Sequence, residues 1–225
     1  MKNQEITRER RKLVPEMGGT VARMYARQRG TEAQLAMWRK QAAEMTADLP
    51  DGADILEVAF GPGYFAVELA RLGFSVTGLD VARTFVELAN EHAAKERLRV
   101  DFRQGDVAAM PFEAESFDFV VCQAAFKNFT RPVDALDEMH RVLRQGGVAV
   151  VQDLNYEATD EDIAREVENM DIGRVAGFTT RLTLGGMLRR RAYSPERFRL
   201  MVAQSAFKTC EITTPGIGIE VTLRK

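Results

Sequence analysis

The stretch Asp54-Ile55-Leu56-Glu57-Val58-Ala59-Phe60-Gly61-Pro62-Gly63-Tyr64 decides the fold. Its first seven residues are apolar apart from Asp54 and Glu57, and their number suits a strand. Gly61-Pro62-Gly63 stops that strand at once. A helical pattern then runs over Tyr64–Leu72 and is stopped by Gly73. Gly61 and Gly63 carry no Cβ, so a ligand can meet their backbone closely. The helix that starts there leaves its first N–H groups without partners. Strand, glycine turn and helix start together make a cofactor loop. The loop does not by itself say which cofactor, because Gly61-x-Gly63-x-x-Ala66 also satisfies the loose dinucleotide fingerprint.

Outward from this loop, short apolar runs alternate with helical patterns. Ser75–Leu79 reads as a second strand ending at Asp80, and Arg83–Lys95 as a helix. Val100–Arg103 is a third strand, ending in Gln104-Gly105-Asp106, and Phe117–Gln123 a fourth. Val133–Leu143 is a helix stopped by Gly146-Gly147, and Val148–Leu154 is a fifth strand. Runs without clean alternation belong to strands covered on both faces, as in parallel sheets. Ser194 and Pro195 then start a helix that runs to about Ser205. Lys208–Thr214 and Ile217–Leu223 are separated by Pro215-Gly216 alone, too short for a helical crossover. They pair antiparallel or share a sheet around an inserted last strand. The predicted fold is α/β, a doubly wound (Rossmann-like), mostly parallel seven-stranded sheet with an antiparallel C-terminal strand, plus N-terminal helices.

Residues 1–50 read as an N-terminal helical cap, with apolar side chains at three-to-four spacing through Val21, Met24, Tyr25, Leu35, Trp38, Ala42 and Met45. Gly18-Gly19 and Gly30-Thr31 break it into pieces, and Thr31 with Gln34 suits a capping box. Residues 51–225 form the α/β domain, with a lid insertion at about 157–193. That insertion opens on an acidic amphipathic helix over Glu157–Asp171 and ends in Arg189-Arg190-Arg191. A connection this long in a compact domain is usually functional or carries helices of its own.

The bulk numbers fit one such domain. The chain has 225 residues, 45% of them hydrophobic and 28% charged. Its formal net charge of −2 creates no field that would draw nucleic acid or anionic lipid. Neither a nucleic-acid nor a membrane partner is expected, since no segment approaches the ~20 apolar residues of a spanning helix. The charged N-terminus has no apolar run behind it and does not read as a secretory signal, so a cytoplasmic protein is expected. Cys122 and Cys210 are too few and too dispersed for disulfides or a zinc site, and no metal site is expected.

Three further features bear on chemistry. Asp80, at the end of the second strand, is placed to accept both hydroxyls of a ribose lying over the glycine loop. Asp106 and the N–H of Val107, after the third strand, suit an adenine amino group and a ring nitrogen. Gln123 ends the fourth strand beside the first, where a topological crevice opens.

In this order the motifs resemble the class I S-adenosylmethionine-dependent methyltransferase family, in its small-molecule branch. The match runs through Leu56–Gly63, Gly78-Leu79-Asp80, Gly105-Asp106-Val107, Met110-Pro111-Phe112 with Ser116-Phe117-Asp118, and Leu143–Gly147. The resemblance covers roughly residues 53–155 and implies S-adenosyl-L-methionine as cofactor. It implies that Glu57 lies near the methionine end, that Gly61 and Gly63, with Ala59 before them, face methionine and ribose, and that Asp80 with Val81 holds the ribose. It further implies that Asp106-Val107 flanks adenine and that Gln123 borders the methionine moiety. The chain departs from the family at Ala59-Phe60, where Gly or Cys is commoner, and Phe60 is expected to crowd or shape the pocket. After the fourth strand Ala124-Ala125-Phe126-Lys127-Asn128-Phe129 also departs from the usual pattern.

The implied activity is transfer of a methyl group to a small-molecule acceptor by in-line displacement, with the acceptor atom (O, N, C or S) open. Alignment and exclusion of water can supply most of such catalysis. Where a base is needed, Asp153 after the fifth strand is the best placed, and Tyr25, Lys127 and Tyr156 also suit a crevice at the strand ends. His92 and His140, the two histidines, fall inside helices and read as packing residues. The alternatives are a nicotinamide-dependent Rossmann oxidoreductase and a non-catalytic binding protein of the same fold. Against the first, no Tyr of this chain is followed four residues later by Lys, as short-chain reductases need. The expected partner is the methyl acceptor, and a homodimer stays open.

Overall fold

The computed structural model describes residues 17–169 and 174–225, so the helical reading of residues 1–16 and of Met170–Asp171 lies outside the described residues. Two helices come first, α1 (Gly19–Arg29) and α2 (Glu32–Met45). Strands and helices then alternate: β1 (Asp54–Val58), α3 (Tyr64–Arg71), β2 (Ser75–Asp80), α4 (Arg83–Lys95), β3 (Asp101–Gln104) and β4 (Phe117–Gln123). A single 3₁₀ turn (Phe126–Asn128) leads into α5 (Pro132–Val142) and β5 (Leu143–Leu154). The segment read as an insertion holds α6 (Asp160–Asn169), α7 (Arg174–Thr183), a π-helical turn (Leu184–Leu188) and α8 (Arg189–Arg191). The chain ends with α9 (Pro195–Gln204), β6 (Glu211–Thr213) and β7 (Gly218–Arg224).

The sheet has seven strands in the order β3-β2-β1-β4-β5-β7-β6. All neighbours from β3 to β5 are parallel, and β7 enters antiparallel between β5 and β6. Both readings of the tail therefore hold together: β6 and β7 pair antiparallel, and the last strand is the inserted one. The order in which strands are added reverses between β1 and β4, and this switch point opens a crevice at their carboxyl ends.

Each face of the sheet is covered. On one side Val58, Val120, Cys122, Ala149, Val151 and Val221 pack against Leu136 and Met139 of α5 and Phe198 and Met201 of α9. On the other, Ile55, Phe119, Val121 and Val150 pack with Phe65 and Leu69 of α3, Phe85 and Ala89 of α4, and Ala42 of α2. Ala158, Ile163 and Val167 form a small separate cluster with Leu184 and Ile217.

Local chemistry explains most boundaries. Thr31 caps α2 by accepting from the Gln34 N–H, and Ser194 caps α9 by accepting from the Arg197 N–H. Most other boundaries shift by one to three residues from the sequence reading, and two differences have a clear cause. The helix before Gly146-Gly147 ends at Val142, one residue early, and the fifth strand starts at Leu143, not Val148, because Leu143 is already extended and paired with Phe117. Arg144 beside it bridges Asp54 and Asp118 across 2.8 and 2.7 Å. The sixth strand starts at Glu211, not Lys208, because Lys208 sits at φ +65° and leaves the extended region. Among the described residues no helix is long and apolar enough to cross a membrane.

Candidate active site

At the carboxyl end of β1 the backbone itself makes the site. Ala59 adopts φ +56° and its N–H donates to the Leu79 carbonyl of β2 over 2.6 Å. Gly61 has φ +55°, and a Cβ built on it meets nothing within 4 Å, so its backbone faces open space. Gly63 has φ +77° for a different reason: a Cβ there would lie 2.6 Å from Ala89 Cβ and 2.9 Å from Phe102. One glycine leaves room for a ligand and the other lets α3 close on α4. Asp80 locks the loop. Its Oδ2 accepts from the Gly61 N–H at 3.0 Å and its Oδ1 from the Ala82 N–H at 2.8 Å. Its neighbour Val81 is 45% exposed, an apolar side chain left open at the strand end.

Glu57 is buried beneath this loop, and its Oε2 has no hydrogen-bond partner. Burial pushes its carboxyl well above the ordinary range; the Ala66 N–H opposes this and the charge of Asp80 adds to it. Phe60 does not enter the crevice. Its ring is buried over Gly78 and packs on Phe102 with centroids 4.7 Å apart, so the unusual residue of the loop is absorbed by the core. Asp106 is half-exposed and already occupied: Oδ1 accepts from the Ala108 N–H at 2.9 Å and Oδ2 from Arg131 at 2.8 Å. Val107 packs partly against the core beside it.

At the ends of β4 and β5 side chains take over. Gln123 Nε2 donates to Gln152 Oε1 at 2.9 Å, and Gln152 Nε2 donates to Glu220 Oε2 at 2.6 Å. Gln41 Nε2 reaches down from α2 to the same Gln152 Oε1 over 2.6 Å. Gln123 Oε1 is buried without a partner. Ala124 adopts φ +55°, matching Ala59 on the neighbouring strand end. Asp153 forms an ion pair with Lys127 at 2.7 Å, with side chains only 3% and 6% exposed. Its Oδ1 also accepts from the Leu154 N–H and its Oδ2 from the Lys127 N–H. The Lys127 ammonium donates to the Ala124 carbonyl as well. Asp153, the best-placed candidate base, thus has both oxygens engaged.

The N-terminal helices lie across the starts of α3 and α4. Tyr64, the residue after Gly63, donates its hydroxyl to the Ala26 carbonyl of α1 at 2.9 Å. The Gly19 N–H donates to Thr84 Oγ1 at 3.2 Å. Tyr25 packs its ring on Phe85, centroids 6.0 Å apart, and accepts from Arg29 Nε at 3.3 Å. Among the other candidates, Tyr156 is 54% exposed. His92 meets the Tyr64 ring edge-on and His140 the Phe207 ring; burial lowers the pKa of both. Arg189 of the triple arginine pairs with Asp160 at 2.8 Å. The sequence reading did not find Gln41, Tyr64, Arg131, Gln152 or Glu220. No local signal marks them: Glu220 alternates with the buried Ile219, Val221 and Leu223 and shares its face with Thr222 and Arg224, as on any half-covered strand.

A family profile described as "Methyltransferase domain" matches residues 56–151. The demethylmenaquinone methyltransferase of Thermus thermophilus is 31% identical over 173 residues, which cover 76% of this chain and 77% of that protein. The chain belongs to the class I S-adenosylmethionine-dependent methyltransferase family. A ubiquinone biosynthesis O-methyltransferase of Roseobacter denitrificans is 34% identical over 104 residues, 46% of this chain and 42% of that protein. The chain spans about half the length of the first curated relatives it matches. A solved S-adenosylmethionine-dependent methyltransferase from Aquifex aeolicus superposes with a TM-score of 0.68 at 17% identity, over 89% of this chain and 96% of that one, and shares the fold.

The crevice suits the cofactor of this methyltransferase family. It offers an open glycine backbone at Gly61, an acceptor-only carboxylate at Asp80, an exposed apolar side chain at Val81 and an unpartnered buried oxygen on Glu57.

Proposed function

We propose that this chain transfers a methyl group from S-adenosylmethionine to a small-molecule acceptor bearing an aromatic hydroxyl, such as the reduced, hydroquinone form of a quinone-type ring, by in-line displacement. The acceptor class is supported by the relatives, whose names are those of demethylmenaquinone and ubiquinone methyltransferases. Glu57, Ala59, Gly61 and Gly63 would hold the methionine and ribose end, Asp80 and Val81 the ribose, and Asp106 with Val107 the adenine, while Gln123 would border the methionine on the acceptor's side. When bound, the cofactor supplies an electrophilic methyl group on a positively charged sulfur.

The chain's own part is to orient and to exclude water. Cap helices α1 and α2 and the lid at 157–193 would close the crevice from above, with Tyr25 serving as packing for the cap. Asp153 is read as a positioning residue that fixes the 3₁₀ turn through Lys127, because both of its oxygens already accept hydrogen bonds. A hydroxyl acceptor then reacts without a dedicated carboxylate base, its proton passing to bulk water.

The observation that carries this reading is the Asp80 carboxylate bound to the Gly61 N–H, which joins the two elements a ribose must span. Calorimetry with S-adenosylhomocysteine tests it. Asp80→Ala removes charged hydrogen bonds to two hydroxyls and loosens the loop, so affinity should fall roughly 100-fold or more. A fall of less than threefold, or tight binding of NADH by a protein that ignores S-adenosylhomocysteine, overturns the reading. Transfer of labelled methyl to naphthols then tests the acceptor class.

A further inference from the structure

The amide row beneath α2 has a direction, and the direction has one source. Gln123, Gln152 and Glu220 stand in register on β4, β5 and β7, on the sheet face that α2 covers. Gln152 Nε2 lies 2.6 Å from Glu220 Oε2. A carboxylate oxygen has no proton to give, so the end of Gln152 that meets it must be the NH₂. Its carbonyl oxygen is thereby turned back toward β4, where it accepts from Gln123 Nε2 at 2.9 Å and Gln41 Nε2 at 2.6 Å. Turning the Gln123 amide over would set two carbonyl oxygens against each other at that distance. Amide orientations are assigned from such networks, and this one admits a single assignment.

The consequence falls at the far end of the row. Gln123 Oε1 points away from Gln152, is buried, and has no donor. A buried carbonyl oxygen without a donor is unfavourable and marks a place where a partner is missing. Glu57 Oε2, also buried and unpartnered, belongs to the same face one rung back, since Glu57 pairs with Val121 and Val121 shares its face with Gln123.

We infer that Glu220 is a positioning residue for ligand recognition: acting through Gln152, it fixes the Gln123 amide so that Gln123 Oε1 is offered to the O–H or N–H of a ligand in the crevice, and so favours an acceptor that carries a hydroxyl. This rests on the proposed function only for the ligand's identity, since the direction of the row is a property of the free protein. Gln152 and Gln41 are the other members of the relay. Glu220 itself reacts with nothing.

The test uses two rings of equal size, 1-naphthol and 1-fluoronaphthalene, titrated into the full chain saturated with S-adenosylhomocysteine. The second has no proton to donate. The wild-type protein should prefer 1-naphthol by about five- to tenfold, the size of one good hydrogen bond. Glu220→Gln keeps volume and neutral hydrogen bonding but frees Gln152 to turn over, so the preference should fall to twofold or less. Glu220→Asp keeps an acceptor-only carboxylate and should retain most of it. Affinity for S-adenosylhomocysteine and the melting temperature should stay unchanged in both variants, which a merely structural role would not predict. A preference that survives Glu220→Gln, or is absent in the wild type, overturns the inference. So does a loss confined to S-adenosylhomocysteine affinity, because the missing donor would then be the cofactor's ammonium. If the wild type binds no S-adenosylhomocysteine, the proposed function falls, and the relay is judged on the free protein by ¹⁵N spectra of its side-chain amides. Shifted Gln123 and Gln152 NH₂ resonances in Glu220→Gln support the relay, and unchanged ones reject it.

Discussion

The two halves of the crevice are built by different means. At the ends of β1 and β2 the shape comes from backbone: Gly61 and Gly63 at positive φ, and a carboxylate, Asp80, bound to two main-chain N–H groups. At the ends of β4 and β5 it comes from side chains: the row Gln123–Gln152–Glu220 and the pair Lys127–Asp153. Yet both strand ends turn in the same way, through an alanine in the left-handed region, Ala59 and Ala124. The comparison teaches that one fold position can be fixed locally on one strand and remotely on the next. The first half suits a constant ligand, because backbone geometry tolerates little change. The second half can be re-specified by exchanging side chains while the sheet stays intact.

The largest effect is expected where the remote half is most deeply buried. Lys127→Met leaves Asp153 a buried charge without its counter-ion, held only by backbone N–H groups, and breaking a buried pair in this way typically costs about 3–5 kcal/mol. Denaturant unfolding should show a loss of that size, and the double variant Lys127→Met with Asp153→Leu should recover most of it, since two apolar groups need no partner. A single variant as stable as the wild type would break the comparison, because the β4–β5 end would then hold its shape without the pair.

This asymmetry also sets what the sequence could tell. Gly61, Gly63 and Asp80 act on backbone within about twenty residues of one another, so their spacing alone announces a loop, an acid at the second strand end and the order of the first strands. The sheet class, the antiparallel tail and the caps at Thr31 and Ser194 were legible for the same reason: each is written in neighbouring residues. Lys127 and Asp153 meet across 26 positions, and Gln152 and Glu220 across 68. Nothing local marks such pairs, and Asp153 therefore read as a free carboxylate at a strand end. Phe60 misled in the opposite sense. It departs from the family pattern next to the loop, but the ring turns inward because Gly78 leaves space for it against Phe102.

A smaller effect probes the electrostatics under the backbone half. The carboxyl of Glu57 is held well above its ordinary range, chiefly by burial. As pH rises past the ordinary carboxylate range, the unfolded chain gives up this proton while the folded chain keeps it. The unfolded state then binds fewer protons, so stability falls with pH and levels off only above the raised value. Glu57→Gln removes that dependence. Its melting temperature should exceed that of the wild type by a margin that grows from pH 4 to pH 8. A margin independent of pH would mean that Glu57 is ionised in the folded protein, and the backbone half would then contain a second fixed charge beside Asp80.

The smallest effect bears on the shared turn. An alanine in the left-handed region carries a strain of about 1 kcal/mol, which glycine relieves. Ala59→Gly and Ala124→Gly should each raise the melting temperature by about 2–4 °C in a chain of this length. The two should part company in their effect on ligands. Ala59 hangs between the Leu79 carbonyl and the glycine loop, so loosening it should weaken S-adenosylhomocysteine binding by a few-fold. Ala124 carries the carbonyl that accepts from Lys127, so loosening it should leave that affinity alone and lower the selectivity for hydroxyl-bearing rings. If both variants weaken the cofactor equally, the crevice is one mechanical unit, and the division into a backbone half and a side-chain half describes how it is assembled rather than how it works.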